Sequence, residues 1–177
     1  LITLGICHAL GRPFMGCNVQ QGGFLLLSLD DAQDDLDAAV GLVLKAMEIT
    51  EEDVKKVGSY LRVVSLQGLK GPRTFNLPGA PGQLDPQMVQ ALCDACDAVT
   101  QLVGVCVDTL RQFAGGPTND EQTIMAVSSS CAMIAAKTGA YFVMQLFVGE
   151  PLFLVTGHSV DLRVVDYIKS IEFAGSF

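Results

Sequence analysis

Residues 85–113, DPQMVQALCDACDAVTQLVGVCVDTLRQF, decide how this chain is read. Asp85-Pro86 is a helix start: aspartate can cap a first turn, and proline needs no amide partner at the first helical position. From there Val89, Leu92, Cys96, Val99, Val103, Cys106, Leu110 and Phe113 recur at alternating spacings of three and four, a heptad seam. Gly115-Gly116-Pro117 closes it. Leu102, Val105 and Val107 lie beside the seam and widen its apolar face. The pattern therefore predicts a central helix over about 86–113, contacted by several neighbours rather than by one zipper partner.

On the N-terminal side, 67–85 is the clearest interruption. Gly68, Gly71, Pro72, Pro78, Gly79, Pro81 and Gly82 punctuate it, so it reads as a loop or arm between two helical portions. Before it, Leu36, Val40, Val43 and Met47 have helical spacing, with Asp30, Asp31, Asp34 and Asp35 crowding the start, where the helix dipole favours negative charge. Thr50-Glu51-Glu52-Asp53 has the form of a capping box and opens another helix through Val54, Val57 and Leu61. Residues 1–23 are apolar but broken by glycines, and read as a short strand or helical turn followed by loop.

On the C-terminal side, Thr118 or Asn119 can cap a helix through Ile124, Val127, Cys131 and Ile134, weakened at Lys137-Thr138-Gly139. Leu152–Val155 reads as extended, and Leu162, Val165, Ile168 and Ile171 suit a last amphipathic helix. Helix and strand stay open for 24–29, 60–66 and 141–155, because short apolar runs fit either period. Together these readings predict one mainly α, multi-helix domain over 1–177 around the helix at 86–113, with a few short strands.

Half of the 177 residues are hydrophobic and only 17% are charged, against about 25% charged in an ordinary soluble domain. Apolar surface left over in that way is economically covered by self-association, so a homo-oligomer or larger assembly is expected. The net charge of −8 and scattered Lys and Arg give no basic stripe, so nucleic-acid binding is not supported. The longest apolar region, 123–155, is interrupted by Lys137, Glu150 and Pro151 and falls short of a membrane span. Six cysteines, three of them (Cys93, Cys96 and Cys106) inside the helical pattern, behave as small apolar residues and point to a reducing, intracellular (cytoplasmic) setting without disulfides.

Three motifs bear on chemistry. Asp30-Asp31-Ala32-Gln33-Asp34 has the DDxxD form, in which carboxylates on one helical face can hold Mg²⁺. It resembles the aspartate-rich motif of prenyl-diphosphate-using enzymes, which implies metal at Asp30, Asp31 and Asp34, an isoprenoid or other phosphorylated substrate and an all-helical fold. The basic partners such a substrate needs are missing nearby. Cys93-Asp94-Ala95-Cys96 is a CxxC, but a structural zinc site needs two further ligands, and acidic neighbours disfavour thiolate. Gly157-His158-Ser159-Val160-Asp161 resembles a nucleophile elbow, but Asp161 replaces the second glycine and no histidine follows His158. Ser159 is expected to cap the last helix instead.

Residues 24–64, read as strand, helix and strand, are similar to part of the small trimeric enamine-deaminase family, and nothing after Gln67 continues the likeness. The chain contains no G-x-x-x-x-G-K-[ST] loop and no dinucleotide fingerprint, and no cofactor is expected. The function this composition suggests is non-enzymatic: a self-associating structural subunit of coat, nucleocapsid or scaffold type. The alternatives are Mg²⁺-dependent chemistry at Asp30, Asp31 and Asp34, or a helical module holding an apolar ligand between 86–113 and 120–148.

Overall fold

Helix and strand alternate along the chain. In a computed structural model that describes residues 1–68, 74–77, 80–115, 121–148 and 150–156, helix α1 (Ile2–Leu10) precedes strand β1 (Gly23–Ser28). Helices α2 (Gln33–Ala46) and α3 (Glu51–Tyr60) follow, then β2 (Leu61–Ser65) and the short strands β3 (Asn76–Leu77) and β4 (Ala80–Leu84). The remainder runs α4 (Pro86–Asp97), β5 (Leu102–Asp108), α5 (Leu110–Ala114), α6 (Glu121–Thr138), β6 (Tyr141–Val148) and β7 (Glu150–Thr156). The main sheet has the order β2-β1-β5-β6-β7; the first four strands are parallel and β7 runs antiparallel to β6. β3 and β4 pair separately.

This corrects the mainly α expectation. The long helix at 86–113 does not exist: its first part is α4, its middle is the inner strand β5, and its end is the short α5. The helix start was legible, since Asp85 accepts from the Gln87 amide at 2.9 Å and Pro86 follows. The turn that ends α4 contains neither Gly nor Pro; Gln101 turns the chain with a φ of 50°. Beyond it, Leu102–Asp108 is an apolar run because a parallel strand is buried on both faces, and such a run matches a helical template by accident.

The open segments resolve the same way. Residues 24–29 and 60–66 contain β1 and β2, and 141–155 holds β6 and β7. Where caps were readable they hold. Thr50 accepts from the Asp53 amide at 3.3 Å and opens α3; Lys137-Thr138-Gly139, read only as a weak point, instead ends α6 at Thr138. Part of the 67–85 arm is structured, as the β3–β4 pair. The Gly157–Asp161 motif, the last expected helix and the caps at Thr118 or Asn119 lie outside the described residues.

Two cores sandwich the sheet. On one face Phe24, Leu26, Cys106, Tyr141 and Val143 pack against α1, α2 and α3. On the other, Leu25, Leu27, Val105, Val107, Phe142 and Met144 pack against α4, α5 and α6. Each large side chain buried in this way contributes about 1.5–3 kcal/mol. Gly104 has a packing reason: a Cβ there would stand 2.8 Å from Phe24 Cε2 and 2.9 Å from Tyr141 Cζ. Only a glycine lets the Phe24 ring lie flat across β5.

The path β1 to β2 runs to one side of β1, and the path onward to β5 returns to the other side. β1 and β5 therefore flank the point where the winding reverses. In open α/β sheets, ligands bind outside the carboxyl ends of the strands at that point.

Candidate functional site

At the carboxyl end of β1 the chain reads Ser28-Leu29-Asp30-Asp31, and at the carboxyl end of β5 it reads Asp108-Thr109. The Leu29 amide donates to the Asp108 carbonyl at 3.1 Å, so the two exits leave the sheet side by side. The Asp108–Thr109 peptide is cis.

Ser28 organises the first exit. Its hydroxyl oxygen accepts from the amides of Asp30 at 3.3 Å and Asp31 at 3.2 Å, while its proton goes to Asp31 Oδ2 at 3.1 Å. The Ser65 hydroxyl, from the end of β2, donates to the Asp31 carbonyl at 2.7 Å. Asp30 turns the other way. Its Oδ2 accepts from Thr109 Oγ1 at 3.2 Å and its Oδ1 from the Gln112 side-chain amide.

A cavity of about 370 Å³ opens between these exits and the first turn of α1. Leu1, Ile2 and Thr3 line it together with Asp31, Asp35 and Asp108. A second hollow, of about 470 Å³, lies on the far side of Asp30, bounded by Thr109, Arg111 and Gln112. Asp108 is half-buried, and no hydrogen bond reaches its carboxylate among the described residues. Burial, then the charges of Asp31 and Asp30, push its pKa above the usual carboxylate range. A carboxylate held this way is short of positive charge.

The oxygen-only donor set suits a hard divalent cation. No group of three His, Cys, Asp or Glu side chains among the described residues could hold a metal by itself. Mg²⁺ is usually bound by one or two carboxylates plus waters and substrate phosphates rather than by an all-protein cage.

The DDxxD string is thus split by the fold. Asp30 and Asp31 belong to the exit of β1, and Asp34 sits in the first turn of α2, away from the cavity. The all-helical fold implied by the likeness to prenyl-diphosphate enzymes is overturned by the parallel sheet. A ligand slot between 86–113 and 120–148 is overturned as well. The space between α4 and α6 is filled by Leu92, Cys93, Cys96, Val127, Cys131 and Ile134. Burial pushes the thiols of Cys96 and Cys131 up to about 12, which leaves them as packing groups.

Asp108, Thr109 and Gln112 went unrecognised in the sequence. The available signal was an apolar, β-branched run closing on an acid, Leu102–Asp108, but the helical seam absorbed it.

A second buried constellation lies one layer below. His8 of α1 has its Nδ1 2.7 Å from the Gln20 carbonyl and its Nε2 2.5 Å from the Tyr141 hydroxyl. A carbonyl only accepts, so Nδ1 carries the proton and Nε2 accepts from tyrosine. His8 also stacks on Phe24, with ring centroids 5.5 Å apart. This group ties α1 to β1 and β6.

Among the described residues no helix is long and apolar enough to cross a membrane. Comparison with curated proteins finds no match. A parallel sheet with an acidic strand exit aimed at the first turn of a helix is the layout of P-loop nucleoside triphosphatases. The family model described as AAA domain matches residues 1–146, and the chain belongs to that family.

Proposed function

We propose that this domain binds and hydrolyses a nucleoside triphosphate together with Mg²⁺ in the crevice between the exits of β1 and β5. The observation that carries the reading is Asp108 at the end of β5, whose carboxylate has no hydrogen bond among the described residues, facing Asp31 and the first turn of α1 across one cavity. Membership of the AAA domain family supports it and replaces the structural, self-assembling subunit suggested by composition. The isoprenoid reading and the apolar-ligand module fall with the all-helical fold.

Asp108 and Asp31 are the residues that would hold the cation, which on binding offsets charge on the phosphates. Asp108 accepts the cation side, as an acid at the end of an inner strand does in this fold class. The pair from β1 supplies a carboxylate able to orient an attacking water. Leu1, Ile2 and Thr3 at the start of α1 line the same cavity, where the helix dipole favours phosphate. The 177 residues contain no G-x-x-x-x-G-K-[ST] string, so no residue here is assigned to the phosphate-cradling loop or its lysine.

The test is equilibrium binding of ATP to the natural full-length protein, with Mg²⁺ and with EDTA. Mg²⁺-dependent binding that Asp108→Asn weakens supports the reading. Binding indifferent to both the metal and the substitution contradicts it.

Self-association belongs to the same proposal. Exposed Met125 and Met133 on α6 and exposed Leu42 on α2 are the apolar surfaces that favour it. A reducing compartment is proposed from the six free cysteines.

A further inference from the structure

We propose that Gln112, seconded by Thr109, is a positioning residue for the hydrolytic crevice: it holds Asp30 from the β5 side and fixes the exit of β1 against α5. The inference rests on the nucleotide-hydrolysis reading and adds a residue to it.

Asp30 and Asp31 are neighbours in sequence but are anchored to opposite walls. Asp31 is held by Ser28 of its own strand, and its carbonyl by Ser65 of β2. Both carboxylate oxygens of Asp30 are instead taken by donors from the segment after β5, Thr109 Oγ1 and Gln112 Nε2. These two contacts lie beside the crevice, at the hollow bounded by Asp30, Thr109 and Gln112, and join the exit of β1 to the segment after β5.

The walls need joining. Asp30 and Asp31 on one side and Asp108 on the other are carboxylates of like charge, on strand exits set side by side by the Leu29–Asp108 backbone contact. Left alone, the two exits repel. Gln112 and Thr109 are neutral donors, so they satisfy Asp30 without cancelling the negative field that attracts a cation. A lysine or arginine in the place of Gln112 would hold Asp30 equally well and weaken that field.

Gln112 also works from a fixed base. The next residue, Phe113, is fully buried against Phe75, and its carbonyl accepts from the Phe75 amide at 2.6 Å. The Ala114 carbonyl accepts from the Asn76 side chain. The helix carrying Gln112 is therefore pinned from below while its exposed side chain reaches Asp30 and lines the hollow on that residue's far side.

The test uses steady-state ATP hydrolysis by the natural full-length protein. Removing a hydrogen bond to a charged group should lower kcat about 10-fold in Gln112→Ala, with KM changed less than about twofold. Gln112→Glu, which puts a further negative charge against Asp30, should lose more. Thr109→Val should lose more than Thr109→Ser, which keeps the hydroxyl. Melting temperatures should stay near wild type, because Gln112 is exposed and outside the core. Wild-type kcat in Gln112→Ala, or a loss confined to KM, overturns the positioning role. Hydrolysis that survives Asp108→Asn overturns the underlying reading instead, so the two failures are distinguishable.

Discussion

The amide of Leu29 donates to the carbonyl of Asp108 at 3.1 Å and so sets the acidic exit of β1 beside that of β5. This contact extends the β1–β5 ladder past Ser28 and Asp108, the last paired residues. Everything proposed for the crevice depends on it. Three carboxylates from two strands are brought to one place by backbone pairing, and their mutual repulsion is left standing until something positive arrives.

That repulsion should be measurable as stability. In metal-free buffer Asp108→Asn should raise the melting temperature by a few degrees, because it removes a buried like charge. Millimolar Mg²⁺ should raise the wild-type melting temperature more than that of the variant. Differential scanning calorimetry with and without EDTA decides it; a variant that melts lower than wild type in EDTA would remove the electrostatic argument.

The His8–Tyr141 pair predicts an acid-sensitive fold. Burial holds the His8 pKa below its ordinary value of 6.5, more than the Gln20 carbonyl raises it. The unfolded chain therefore binds a proton at higher pH than the folded one does. The stability contributed by neutral His8 is fully present above pH 6.5 and is lost as pH falls through that value toward the folded pKa. Unfolding midpoints in urea should drop between pH 7.5 and pH 5.5, and His8→Phe should flatten that part of the profile. Tyr141→Phe should cost about 1–3 kcal/mol at neutral pH by leaving Nε2 buried without a donor.

Gly104 should tolerate no side chain. Alanine would press on Phe24 and Tyr141 at under 3 Å, and overpacking of this kind costs about 1–3 kcal/mol. Gly104→Ala should be destabilised in a urea melt, and Phe24→Leu in the same chain should recover part of the loss by making room. Equal losses in the single and double variants would show that the ring is not the obstacle.

The cysteines should differ sharply in reactivity. Cys93, Cys96, Cys106 and Cys131 are buried, whereas Cys17 is partly exposed. Since thiolate is the reacting species, iodoacetamide at neutral pH should label Cys17 well before those four. Peptide mapping by mass spectrometry checks the order, and early labelling of Cys96 or Cys131 would contradict the packing described for α4 and α6.

Local signals in this sequence were legible where one residue type has one physical job. Asp85-Pro86 opens α4 and Thr50 caps α3. The fold class was not legible, because Val99, Val103, Cys106 and Leu110 continue the spacing of Val89, Leu92 and Cys96 across a turn made without glycine or proline. β1 and β5 lack the alternation of a half-exposed strand because helices cover both of their faces. The site was half legible. Asp30 and Asp31 stood out as an acidic cluster, but their partners Asp108, Thr109 and Gln112 are distant in sequence and meet them only through the register of β1 with β5.

The central claim is best tested by phosphate release from Mg·ATP under single-turnover conditions, using the natural full-length protein beside its Asp108→Asn variant. The account predicts Mg²⁺-dependent release by the wild type and a fall of at least about 100-fold in the variant, the scale of removing a preorganised electrostatic group. Equal release by the two proteins, or none by the wild type with Mg·ATP bound, would contradict it.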